Sequence, residues 1–218
     1  MKNRTGRIVA LGMLATFFTS LSHAELIDRG GGLIYDDVLD VTWLQDASYS
    51  GTSTGIDRRT QSDAAQWVDD LVYYDSVRDQ YISDWRLPST FNDPSSWGFD
   101  ETGMSSELAF MYYVNLGYAA NSSLSPSDPA PTSINYNPFQ NLTYRGYWSG
   151  TLTDNPNRPD QVWSFHFHFG YQTFGGGEGD KMRIWAVRDG DVAVPEPGTL
   201  ALLGLGLAGL GFSRRKKV

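Results

Sequence analysis

Between residues 25 and 194 the apolar positions fall in short runs broken by turn residues. Leu26-Ile27-Asp28 and Leu33-Ile34-Tyr35 flank Arg29-Gly30-Gly31-Gly32, which predicts a hairpin. Val41-Thr42-Trp43-Leu44 predicts a third strand, and the Ser-, Thr- and Gly-rich stretch from Ser48 to Asp57 predicts a loop. Ala64, Trp67, Val68, Leu71 and Val72 recur at helical spacing over Asp63 to Tyr73, with Ser62 as the candidate cap. A second helix is expected from Ser106 to Leu116, ended by Gly117 in the left-handed conformation. Trp85-Arg86-Leu87-Pro88 reads as extended, because the residue before a proline avoids the helical region. Asn121 to Gln140, with Pro126, Pro129, Pro131 and Pro138, reads as an exposed loop. Tyr147-Trp148-Ser149, Val162 to Phe169 and Arg183 to Arg188 predict strands, with Gly175-Gly176-Gly177 separating the last two. Two helices among short antiparallel strands make this an α+β domain.

The two ends follow different patterns. Lys2, Arg4 and Arg7 precede the apolar run Ile8 to Phe18, and Ser22-His23-Ala24 places small residues before Glu25. That order predicts a signal peptide over residues 1–24, cleaved between Ala24 and Glu25. The domain then occupies residues 25–192, and residues 193–218 form a tail. In the tail, Pro195-Glu196-Pro197 is followed by the uncharged run Thr199 to Phe212 and the basic cluster Arg214, Arg215, Lys216 and Lys217. As a helix that run covers roughly 21 Å against a hydrocarbon core of about 30 Å. The basic cluster holds its end on the cytoplasmic side, so the segment can halt export at the inner membrane. Pro195-Glu196-Pro197, the glycine- and leucine-rich run and the terminal basic residues together resemble the PEP-CTERM protein-sorting signal. The resemblance implies recognition by an exosortase, a membrane transpeptidase-like cysteine protease. It also implies cleavage near the motif during transfer to the cell surface, in a Gram-negative bacterium that secretes exopolysaccharide.

Setting the ends aside sharpens the charge balance. The chain carries a net charge of −8, but residues 25–194 hold ten basic residues against twenty-four acidic ones, with Lys181 the only lysine. Nucleic-acid binding, which needs basic surface to displace counterions from phosphate, is excluded on that ground. The same balance puts neutral or basic polymers ahead of polyanions as expected ligands. The chain has no cysteine, which excludes disulfides, thiolate metal sites and a cysteine nucleophile.

Four segments of the domain carry a second resemblance. Leu39-Asp40-Val41-Thr42-Trp43-Leu44, Asp84-Trp85-Arg86-Leu87-Pro88-Ser89, Tyr147-Trp148-Ser149-Gly150-Thr151 and Trp185-Ala186-Val187-Arg188 resemble the Lcl C-terminal domain family. This implies a C-type-lectin-like fold related to the formylglycine-generating enzymes, on a secreted or surface protein. Formylglycine generation itself needs cysteines that are absent here. The calcium-bridged sugar triplets of the lectins have only distant counterparts in Arg158-Pro159-Asp160 and Phe91-Asn92-Asp93.

No catalytic residue and no cofactor is indicated by the chain. His166 and His168 alternate with Phe165, Phe167 and Phe169, so a strand through all five puts both imidazoles on one face. Two readings stay open: two of the ligands of a zinc or copper site, or a solvated histidine face opposite a buried aromatic one. Asp36, Asp37 and Asp40 offer hard oxygen ligands for calcium, or serve as turn and strand caps. Trp43, Trp67, Trp85, Trp148, Trp163 and Trp185 are expected in the core, and Arg86 in a structural ion pair. Trp97, beside Phe99 in the loop from Pro94 to Gly103, is the candidate for stacking on a sugar. The function expected is non-enzymatic ligand binding, to exopolysaccharide or another surface protein, through loops 91–103 and 121–142. An enzyme acting on envelope polymers and a purely structural matrix protein remain as alternatives.

Overall fold

The computed structural model describes residues 25–91, 97–122, 138–154, 161–175 and 179–192. The expected signal peptide over residues 1–24, the sorting tail from residue 193 onward and parts of both long loops lie outside these residues. The architecture is α+β, dominated by two four-stranded antiparallel sheets.

The first sheet has the order β1-β2-β3-β10, with β1 at Leu26–Gly30, β2 at Leu33–Asp36, β3 at Val41–Leu44 and β10 at Val187–Asp189. Its β1–β2 hairpin turns where the sequence predicts, across the consecutive glycines. Strand β10 pairs with β3 and so returns the end of the domain to its start. Both faces of β2 and β3 are covered, which explains why β3 reads Val-Thr-Trp-Leu without a solvent-facing residue. Ile34, Val41 and Trp43 enter one core cluster, Leu33 and Leu44 the other.

The two helical segments differ in detail from expectation. Ser48 to Asp57 contains a short helix, α1 at Tyr49–Thr54, ended by Gly55 in the left-handed conformation. Helix α2 spans Gln61–Asp69 and is capped by Thr60, whose hydroxyl accepts from the Asp63 N–H, and not by Ser62. The remaining Val72 to Tyr73 stretch enters a small hairpin, β4 at Tyr73–Asp75 and β5 at Gln80–Ile82, which the helical spacing concealed. Helix α3 at Glu107–Phe110 begins after Ser106, whose hydroxyl caps it instead of opening its first turn, and continues as a π-helical turn over Met111–Asn115. The extra residue of that turn directs Tyr112 and Tyr113 together into the core.

The second sheet has the order β6-β9-β8-β7, with β6 at Gly98–Phe99, β7 at Gly146–Leu152, β8 at Val162–His166 and β9 at Tyr171–Gly175. Of the predicted Arg183 to Arg188 strand, only Val187 and Arg188 lie in β10. Arg183 instead joins the outer edge of β7, its N–H donating to the Gly146 carbonyl at 3.0 Å. Met182 in turn pairs with Arg59, which extends the sheet by another segment.

Trp43, Trp85, Trp148, Trp163 and Trp185 are buried as expected, while Trp67 is half-buried at the edge of the core. Arg86 pairs with Glu107 at 2.7 Å and with Asp189 at 2.6 Å, tying α3 and β10 to the extended Trp85–Pro88 segment.

Of Asp36, Asp37 and Asp40, only Asp36 caps the turn that follows it. Asp36 is buried, and its Oδ1 accepts from the Val38 and Leu39 N–H groups at 3.1 and 3.0 Å. Asp37 accepts from the Glu25 nitrogen at 2.8 Å, and Asp40 from the Tyr35 hydroxyl at 2.9 Å. Their side chains face separate partners, and among the described residues no three His, Cys, Asp or Glu are grouped to hold a metal.

Burial pushes the Asp36 carboxyl above its ordinary range, although three hydrogen bonds to it act in the opposite direction. Its Oδ2 accepts from Asn115 Nδ2 at 2.6 Å, while Asn115 Oδ1 is buried without a partner. An Asp36→Asn side chain keeps the Oδ1 cap and, with the Asn115 amide turned over, donates to that oxygen. We expect Asp36→Asn to stay within about 1 kcal/mol of wild type at neutral pH, and Asp36→Ala to lose roughly 2–3 kcal/mol. The carboxyl holds its proton more tightly folded than unfolded, where its value is about 3.9. Its contribution is therefore full below that value and lost as pH rises through the raised folded one. Denaturant unfolding from acid to neutral pH checks this, because Asp36→Asn should remove that part of the fall.

Candidate functional site

The exposed face of the second sheet is built by register. Phe99 of β6 stands opposite Tyr171 of β9, Tyr171 opposite His166 of β8, and His166 opposite Gly146 of β7. Residues directly opposite in antiparallel strands share a face, so these four form one row across the sheet. At the β6 end Trp97 lies over the edge strand, its indole N–H donating to Thr173 Oγ1 at 3.1 Å. Trp97 and Phe99 each meet the Tyr171 ring edge-on, at centroid distances of 5.8 and 5.1 Å. Both remain exposed, 55% for Trp97 and 46% for Phe99. The structure thus brings the two predicted stacking residues together and adds Tyr171, which the sequence reading missed. The available signal was Gly170, the turn residue that sets Tyr171 across from His166.

At the β7 end the row opens into a cavity of about 390 Å³ lined by Arg58, Tyr144, Arg145, Gly146, His166, His168, Phe169, Lys181 and Met182. The predicted strand through both histidines is corrected here. β8 stops at His166, and Phe167 to Gly170 form a turn, so strand alternation does not place His168. Both imidazoles still line the same cavity. Phe165 and Phe167 are buried, whereas Phe169 is 46% exposed because it lies in the turn.

His166 packs against the bare backbone of Gly146, where an added Cβ would stand 3.0 Å from both the His166 ring and the Met182 sulfur. Burial, with His168 as its neighbour, holds the His166 imidazole below the ordinary histidine range. His168 Nδ1 is itself buried without a hydrogen-bond partner. Tyr144 lies 5.8 Å from the His168 ring and carries the Arg145 guanidinium 4.5 Å over its own face. Two histidines without a grouped third ligand among the described residues make a polar, cation-rich pocket. Its chemistry is hydrogen-bond donation and charge attraction.

Arg58, Arg145 and Lys181 were not singled out by sequence reasoning. They lie far apart along the chain, and only the Arg59–Met182 bridge and the Arg183–Gly146 pairing bring them together.

Two comparisons with known proteins, one against curated proteins and one against solved structures, gave no match. A third comparison did: residues 193–216 match the PEP-CTERM protein-sorting motif. The motif marks an exported protein that is targeted to an exosortase, with membrane-anchored sorting to the cell surface.

Proposed function

We propose that residues 25–192 form a non-enzymatic, glycan-binding domain of C-type-lectin-like, Lcl C-terminal-like type. The sorting signal delivers it to the cell surface or extracellular matrix, where it associates with exopolysaccharide or another surface protein. The observation that carries this reading is the exposed Trp97–Tyr171–Phe99 cluster. Three rings held in edge-on contact by strand register form an apolar surface open to water, of the kind that sugar rings cover. The fold assignment is supported by the order of the four motifs, each of which contributes a buried tryptophan. Export through an N-terminal signal peptide is supported by the position of Glu25. Cleavage after Ala24 turns its nitrogen into an ammonium facing Asp37 Oδ1, now 2.8 Å away.

The test is a glycan panel that includes the producing organism's own exopolysaccharide, run with and without calcium, with recovered glycans checked by mass. Saturable, calcium-independent binding of intact glycan is expected. Trp97→Ala should weaken it roughly 2- to 13-fold, the value of one aromatic contact of about 0.5–1.5 kcal/mol. Shortened glycan would replace this reading with an enzyme acting on envelope polymers. Loss of binding with chelator would restore a calcium site, and absence of saturable binding would leave a structural matrix protein.

A further inference from the structure

Among the described residues, the basic side chains of this acidic domain divide into two groups. Arg29, Arg78, Arg86, Arg183 and Arg188 are each engaged by a carboxylate, and Arg59 is held by the Ser50 and Thr54 hydroxyls. Arg58, Arg145 and Lys181 have no carboxylate partner among the described residues, and all three line the one cavity that holds both histidines. Exposed cations in a domain with a large excess of acid would ordinarily be drawn to carboxylates. Here the carboxylates near the cavity are occupied or displaced. Asp57 pairs with Arg183 at 2.6 Å, and Asp180 stands over Gly175, outside the cavity lining.

Two further features suit an anion. His168 Nδ1 is buried without a hydrogen-bond partner, on a ring that lines the cavity. The Arg145 guanidinium is held over the Tyr144 ring, which reduces the conformational entropy lost when it grips a ligand. The row Phe99–Tyr171–His166 then links this cavity to the aromatic cluster. Phe99 and His166 lie two strand spacings apart, about 10 Å, a length that consecutive pyranose rings span.

We propose that the cavity lined by Arg58, Arg145, Lys181, His166 and His168 binds the carboxylate of an acidic sugar while a neighbouring ring of the same chain stacks on Trp97, Phe99 and Tyr171. This deepens the glycan-binding reading and rests on it for the polymer, but the anion site stands on its own geometry. It also revises the expectation drawn from net charge. The overall excess of acid disfavours polyanions at long range, yet within the cavity the nearest charges are positive.

The experiment uses the full-length chain in detergent micelles with two probes, oligogalacturonate and the same oligomer with its carboxyls methyl-esterified. Isothermal titration is expected to show the acid form bound at least tenfold more tightly. Arg145→Gln with Lys181→Gln should abolish that preference while leaving the thermal midpoint unchanged, since both side chains are exposed. Trp97→Ala should weaken both oligomers equally. Equal affinity for acid and ester, or a double variant that retains the preference, overturns the anion site. Equal affinities that both fall with Trp97→Ala would leave the glycan-binding reading intact. A charge-dependent preference that ignores Trp97→Ala would instead keep the anion site and remove the aromatic subsite. No binding of the acid form at millimolar concentration overturns the proposal.

Discussion

Trp185→Ala is expected to remove about 3–5 kcal/mol of stability, a large share of the roughly 5–15 kcal/mol that a single domain possesses. Trp185 is fully buried, with Trp43 and Phe139 each at 4.8 Å, Tyr147 at 5.9 Å and Phe167 at 6.1 Å between ring centroids. Its indole N–H donates to the Leu44 carbonyl at 2.8 Å, in the interior. Truncation opens a cavity among four aromatic neighbours that cannot collapse into it, because each is pinned by its own strand or loop. It also leaves the Leu44 carbonyl without that donor. Trp185→Phe keeps the ring contacts and loses the hydrogen bond and some volume, so about 1–2 kcal/mol is expected. Urea unfolding of both variants measures the difference. A Trp185→Ala protein with a wild-type midpoint would mean that Trp43 and Phe139 close the gap.

The second large effect falls at Gly170, which ends the turn carrying His168 and Phe169. Its φ of +72° lies in the left-handed region, and an added Cβ would run into the edge of the Tyr112 ring, with the Tyr113 hydroxyl 2.7 Å away. Tyr113 donates to the Gly170 carbonyl at 2.5 Å, and the fully buried Tyr112 donates to the Ser122 carbonyl at 3.1 Å, so neither tyrosine is free to retreat. Gly170→Ala therefore combines backbone strain with overpacking, roughly 2–4 kcal/mol. Gly190 separates the two contributions. It has the same φ of +72° but nothing near an added Cβ, so Gly190→Ala should lose only about 1 kcal/mol. Equal midpoints for the two variants would show that the tyrosines do not hold the turn. Because the turn positions His168 and Phe169 at the cavity, Gly170→Ala should also weaken oligogalacturonate binding, which Gly190→Ala should not.

Much of the local structure was legible in the chain. The β1–β2 hairpin, strand β3, the helix near Ser106, the left-handed Gly117 and the buried tryptophans depend on neighbours a few residues away or on side-chain size. Errors came where two periodicities overlap or a turn interrupts one. Val72 and Tyr73 extend the apolar spacing of α2 but belong with the β4–β5 hairpin. Phe165 to Phe169 alternates like a strand, yet the chain turns after His166 to return as β9. The histidines reach one cavity despite that misreading.

The sorting signal could be read without any fold, because a motif, an apolar run and a basic end are recognised as a linear order of residues. The same holds for the charge balance, which is a sum over residues and needs no fold. The tertiary structure alone decided the rest of the candidate site. Tyr171 reaches Trp97 and Phe99 through the β6–β9 register, and Arg58 and Lys181 reach His166 through segments that pair across more than a hundred residues of chain. Which cations are neutralised by a carboxylate and which are left facing a cavity depends on those long-range pairings, since an ion pair needs its partners within about 4 Å of each other in space, whatever their separation along the chain.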